Sequence, residues 1–234
     1  MIAEAVDKLA EKIGAVRLKV PRDRGLLVGI SGIDGSGKGF ITALLEKRLL
    51  ELRWNSAVLS ADDWHKLPTI CLNSDNPAEN FYEHGLRLDN MFKQVVLPLR
   101  DRNAIDVVAN YADAKATVYR KKRYSLRGID FVLLEGIFLF KPAYRDYFDL
   151  KIWIDCSFAT ALQRAIVRAQ EGLSPAETKR AFETIYFPAQ RLHFEHDKPR
   201  EHADVIFDNE DNVASALRAC RRLSASPRSF SRRR

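Results

Sequence analysis

Gly32-Ile33-Asp34-Gly35-Ser36-Gly37-Lys38 decides how this chain is read. It follows a short apolar run, Leu26–Ser31, that is bounded by glycine and too short for a helix, and so reads as a buried strand. It precedes a helical pattern from about Lys38 to Arg53, in which Ile41, Leu44, Leu45, Leu49 and Leu52 share one face. Glycines in a strand-to-helix turn let successive backbone N–H groups point inward at an anion, and the helix N-terminus adds partial positive charge. Lys38 supplies a cation for the β- and γ-phosphates of a nucleoside triphosphate. Residues Gly32, Ile33, Asp34, Gly35, Ser36, Gly37, Lys38, Gly39 and Phe40 are the expected nucleotide-binding set. The residue after the lysine is ordinarily Ser or Thr, whose hydroxyl reaches Mg²⁺, but here it is Gly39. Thr42 lies almost a turn further on, which leaves water to complete the metal shell.

Outward from the loop, strands and helices alternate. Strands are expected at Ala57–Ser60, Phe131–Leu134, Lys151–Ile154 and Val205–Phe207. Helices are expected at Leu86–Arg100, Phe158–Gln170 and Pro175–Glu195, with Pro188 interrupting the last, and a closing helix runs to Leu223. Residues 66–80 read as a loop, and the stretch before Arg127 is weakly patterned. The N-terminal 20 residues form an amphipathic helix expected against the sheet edge. Around this P-loop the pattern predicts an α/β architecture, a mostly parallel sheet between helical layers. Residues 1–223 are expected as one domain with a lid at about 157–196, and 224–234 as a disordered basic tail.

Composition narrows the function classes. The 234 residues are 46% hydrophobic and 29% charged, and no apolar run approaches a membrane span. The start resembles neither a signal nor a transit peptide, so a cytoplasmic location is expected. Cys71, Cys156 and Cys220 are too scattered for a disulfide framework. Of the 38 basic residues, seven arginines lie from Arg218 onward, where no acid occurs. Without them 31 basic residues meet 31 acidic ones, so the body is neutral and lacks the field of a nucleic-acid binder.

Three further groups carry chemistry. Asp62 and Asp63 follow the second strand, where an open parallel sheet binds ligands, and a carboxylate there can take a hydroxyl proton or hold Mg²⁺. Leu133-Leu134-Glu135-Gly136 closes an apolar strand on an acid, a Walker B arrangement with Glu for Asp. Arg164 and Arg168 lie four apart on one helix face and can close over transferring phosphates as a lid.

In order and spacing these features resemble the uridine kinase family, which groups with phosphoribulokinase and pantothenate kinase. The likeness runs from Leu26 to Asn209. It is most specific at Phe131–Phe140, at Arg145–Asp155 and at Ala203-Asp204-Val205-Ile206. The resemblance implies a P-loop NTPase fold of the nucleoside-monophosphate-kinase type with a helical lid, ATP and Mg²⁺, a small hydroxyl-bearing acceptor, and a catalytic aspartate at Asp62, alongside Lys38, Arg164 and Arg168. It implies that Glu83 and His84 form the acceptor-binding segment whose acid contacts the sugar hydroxyls, that Tyr111 lies against the base, and that Glu135 and Asp62 hold the metal. Uridine or cytidine is the implied acceptor; pantothenate, a sugar or sugar phosphate, or a non-catalytic ATP-binding role are the alternatives. The substrate half departs from the family at Ala116, where a histidine is expected, at Glu83 for Asp, and at Gly85 for proline. A homo-oligomer is left open.

Overall fold

The computed structural model describes residues 2–68, 75–169 and 172–210. The expected closing helix, the tail, Cys71 and Cys220 lie outside them.

Five strands form one parallel sheet: β1 (Leu26–Gly32), β2 (Ser56–Ser60), β5 (Phe131–Gly136), β6 (Leu150–Asp155) and β7 (Val205–Asp208). Their order is β2-β5-β1-β6-β7. β1 is central, in register with β5 through Ile30 opposite Glu135 and with β6 through Gly32 opposite Ile154. All seven of its residues are buried, which is why it reads as a continuous apolar run and not as an alternation.

Each face carries its own core. On one face, α1 (Ile2–Arg17) and α2 (Lys38–Glu51) pack Val6, Leu9, Ile13, Ile41, Leu45 and Leu49 against Leu26, Val28, Phe131 and Ile152. Helix α1 therefore covers a sheet face together with α2 and reaches the β7 edge, where Lys12 Nζ donates to Asp204 O at 3.1 Å. Its apolar stripe is wide enough to bury, and Ile13 is completely inaccessible. The other face holds α3 (Pro77–His84), α4 (Leu88–Met91, continuing to Arg102), α5 (Phe158–Arg168) and α6 (Pro175–Ala181, continuing to Asp197).

Two helices carry prolines without breaking. In α4 a π turn at Phe92–Val96 precedes Pro98, and in α6 a π turn at Phe182–Tyr186 precedes Pro188. Proline lacks an N–H and its ring crowds the preceding turn. The wider turn absorbs this, with Leu97 N–H bonding Phe92 O and Phe187 N–H bonding Phe182 O. The expected interruption at Pro188 is thus a local widening.

Two elements were not anticipated. The weakly patterned stretch is an antiparallel hairpin, β3 (Ile105–Tyr111) with β4 (Arg120–Leu126), separate from the main sheet. The end of the expected 66–80 loop is the first turn of α3, capped by Asn76, whose side chain accepts from Glu79 N–H. Among the described residues, no helix is long and apolar enough to cross a membrane.

Candidate functional site

The site is built where β1, β2 and β5 end. After β1 the chain turns with Gly35 at φ +80° and Gly37 at φ +93°, a left-handed backbone that favours glycine. Gly37 is the N-cap of α2 and provides no side-chain cap, so the first N–H groups of the helix stay available to an anion. Lys38 is buried and folds over the turn, its Nζ 3.1 Å from Ile33 O. Gly39 is exposed, and a Cβ there would meet no atom within 4 Å. The loop thus has the geometry of a phosphate cradle with open space where a metal-binding hydroxyl would stand.

The underside of the loop is fastened by residues distant in sequence. Ser36 O accepts from Asn209 Nδ2 at 2.7 Å and from Arg164 Nη1 at 3.2 Å. Arg164 Nη2 also donates to Asn209 O at 2.5 Å and to Glu210 O at 3.1 Å. Glu210 in turn caps α5 by accepting from Ser157 N–H, Ser157 Oγ and Thr160 Oγ1. Arg164 is only 7% exposed, so its guanidinium is committed to backbone carbonyls. This differs from the expectation that it closes over phosphates from above. Arg168, one turn on, is exposed, and its charge reaches Asp34.

Glu135 lies opposite Ser60 in the β2–β5 ladder, and Ser60 Oγ donates to Glu135 Oε1 in a short hydrogen bond. Burial, reinforced by the negative charge of Asp62, pushes the Glu135 carboxyl up to about 7, against the pull of Lys38. Gly136 follows for a steric reason, since a Cβ there would collide with Ala61 Cβ. That close approach sets the 3₁₀ turn Ala61–Asp63 beside Glu135. Asp62 is exposed in this turn, with its N–H 3.3 Å from Ser60 Oγ. Asp63 is instead paired with Lys122 of β4 at 2.5 Å. Asp34, Lys38, Asp62 and Glu135 are therefore electrostatic neighbours around the loop.

The expected acceptor residues lie on two other elements. Glu83 and His84 are exposed at the end of α3, where Glu83 faces Lys141. Tyr111 ends β3, its ring 6.0 Å from Lys122 Nζ. Ala116 is buried in the hairpin turn and donates its N–H to Asp113 O. Arg87 joins these parts: it donates to His65 O and Asn110 O and lies against the Trp64 and Tyr119 rings at 5.1 and 4.4 Å. No motif in the sequence marks Arg87, Lys122, Gln190 or Asn209 as a site residue. Only Asn209 had a local signal, as the polar residue directly after the last strand.

The fit to Mg²⁺ can be tested on the donors. Among the described residues, no three His, Cys, Asp or Glu side chains gather closely enough to hold a metal alone. That suits Mg²⁺, which keeps several waters and uses one or two carboxylates plus phosphate oxygens. Glu135, raised by burial beside Asp62, is a carboxylate lacking a nearby cation of sufficient strength.

The arrangement defines a P-loop kinase fold, and solved structures share it. A possible uridine kinase of Bacillus stearothermophilus superposes with a TM-score of 0.68 at 22% identity, covering 88% of this chain and 98% of that one. D-glycerate 3-kinase from Cryptococcus neoformans gives 0.55 at 14% identity, covering 80% and 87%. No family model matches. In sequence the chain resembles the uridine kinase-like family of P-loop small-molecule kinases. The uridine kinase of Macrococcus caseolyticus is 28% identical over 198 residues, 82% of this chain and 91% of that protein. The uridine kinase of Staphylococcus haemolyticus is 26% identical over 188 residues, 77% and 86%. Relatives named kinases support a phosphotransferase.

Proposed function

We propose that this chain is an ATP-dependent kinase that transfers the γ-phosphoryl group to a hydroxyl of a small molecule, most like a uridine or cytidine kinase. The observation that carries the reading is the meeting of Lys38, Asp62 and Glu135 around one phosphate cradle, at the carboxyl ends of three parallel strands.

The triphosphate rests on the N–H groups of residues 32–39, and Lys38 leaves Ile33 O to contact the β- and γ-oxygens. Mg²⁺ would be held by Glu135 and Asp62 and would draw charge off those phosphates. Asp62, exposed at the turn, orients the acceptor hydroxyl and takes its proton. Arg168 offsets charge developing on the transferring group, whereas Arg164 keeps the loop in shape from beneath. Segment 157–196 serves as the lid that excludes water. Glu83 with His84 and Tyr111 bind the acceptor from α3 and the hairpin. The cytoplasm is the compartment this chemistry fits.

Ala116, small and buried where the family resemblance calls for a base-reading histidine, favours a second reading as a kinase of a sugar, sugar acid or pantothenate. Gly39 favours a third, a non-catalytic ATP-binding module. A coupled-enzyme screen of nucleosides, D-glycerate, pantothenate and sugar phosphates with ATP and Mg²⁺ separates them. Turnover on uridine or cytidine supports the first reading, and turnover on another acceptor alone the second. ATP binding without acceptor-stimulated turnover overturns both.

A further inference from the structure

The P-loop carries an acid that phosphate binding does not use. A cradle of this kind works through backbone N–H groups, so the side chain at position 34 is free to serve another purpose. A carboxylate is poorly suited to a triphosphate, since like charges repel. Asp34 is nonetheless held firmly. Gln190 of α6, 156 positions away, donates Nε2 to Asp34 Oδ2 at 2.6 Å.

Gln190 is only 2% exposed, and its Oε1 is buried with no hydrogen-bond partner among the described residues. Such an orphan leaves the desolvation of the group uncompensated. A glutamine kept at that cost is poorly explained as a stabilising core residue; fixing the Asp34 carboxylate explains it. Among the described residues Gln190 is the one hydrogen-bond donor to Asp34, so the second carboxylate oxygen is unclaimed. The titratable groups facing Asp34 are the cations Lys38 and Arg168, the carboxyls of Asp62 and Glu135 at the ends of β2 and β5, and His65, whose pKa burial lowers. Asp34 is thus an electrostatic neighbour of the residue read as the base.

We propose that Asp34, oriented by Gln190, is an acceptor-binding residue whose free carboxylate oxygen takes a hydrogen bond from a second hydroxyl of the acceptor. This rests on the kinase reading above and deepens it. The acceptor then carries at least two hydroxyls. Gln190 is a positioning residue.

The test uses the full chain with ATP, Mg²⁺ and uridine, 2′-deoxyuridine or 3′-deoxyuridine. The variant Asp34→Asn keeps the shape and removes the charge. It should raise KM for uridine 10- to 100-fold, while the Kd for ATP, measured without acceptor, stays within about twofold. Wild type should favour uridine over at least one deoxy analogue, and Asp34→Asn should no longer distinguish them. Gln190→Met should raise KM for uridine in the same direction with kcat nearly constant. An unchanged KM for uridine in Asp34→Asn overturns the inference and leaves the kinase reading standing, as does weakened ATP binding as its main effect. If wild type phosphorylates neither uridine nor cytidine, the nucleoside reading falls and this inference with it.

Discussion

Ser60 donates its hydroxyl hydrogen to Glu135 across the β2–β5 ladder, and this is the only neutral donor the structure gives that carboxylate among the described residues. The pairing leaves Glu135 with too little compensation for its burial and for the nearby charge of Asp62, so its carboxyl titrates near 7 instead of 4.5. A carboxyl whose folded pKa is raised binds more protons folded than unfolded between those values, so stability falls as pH rises through that window. Relative to Glu135→Gln, the ATP-free wild type should therefore lose stability on the order of 1–3 kcal/mol between pH 5 and 8 in thermal unfolding. Identical pH profiles for the two proteins would contradict the assignment.

Gly39 gives a second prediction. Nothing lies within 4 Å of a Cβ placed there, so Gly39→Ser should fold as well as wild type. Serine is also slightly better than glycine within a helix. The new hydroxyl stands where P-loop proteins hold Mg²⁺, and half-saturation by Mg²⁺ should fall several-fold in a titration of phosphotransfer at fixed ATP. An unaltered Mg²⁺ requirement would mean that the metal sits elsewhere.

Lys38 contributes one hydrogen bond to a carbonyl at the end of a flexible side chain, a small share of stability. Lys38→Ala should therefore leave the melting temperature within a few degrees of wild type while lowering phosphotransfer at least 10²- to 10³-fold, the range for losing one transition-state donor. Retention of wild-type turnover would remove the loop from the mechanism.

The contact between Gly136 and Ala61 is steric and can be tested by compensation. Gly136→Ala should push the Ala61–Asp63 turn away from Glu135 and lower turnover, since a misplacement of about 1 Å can cost 10²-fold. Adding Ala61→Gly removes the colliding methyl and should restore most of the activity. A double variant as impaired as the single one would show that the loss has another origin.

The parts legible in the sequence are those whose signal is local. Leu26–Ser31 declared itself by uninterrupted burial, Gly32–Lys38 by its turn chemistry, and Glu135 by ending an apolar run. The β3–β4 hairpin did not. The first four residues of β4, Arg120 to Arg123, are all solvent-exposed, so the strand shows little of the alternation that marks a half-buried one. Helix α3 hid behind Asn76 and Pro77, which read as loop residues though Asn is a strong cap and Pro suits a first turn. Gln190 beside Asp34, and Asn209 beneath Ser36, are products of tertiary folding that no spacing rule anticipates.

The same limit applies to the two arginines of α5, and they supply the last prediction. Four residues apart, Arg164 and Arg168 look equivalent, yet one is buried beneath the P-loop and the other is exposed at the helix end. Arg164→Ala would orphan the bonds to Ser36 O, Asn209 O and Glu210 O at once. Each buried group left unpaired costs about 1–3 kcal/mol, although Asn209 Nδ2 still serves Ser36 O, so a net loss of about 2–4 kcal/mol is expected. Stability and ATP affinity should fall together, and Arg164→Lys should rescue little, because an ammonium cannot span the three carbonyls as a planar fork does. Arg168→Ala should keep the melting temperature and ATP affinity and lower kcat, by 10-fold or more if its charge acts on the transferring group. Unfolding curves and ATP titrations on both variants decide the matter. If Arg164→Ala were stable with only kcat reduced, the guanidinium would have to leave its carbonyls and act from above the loop, as its spacing with Arg168 first implied.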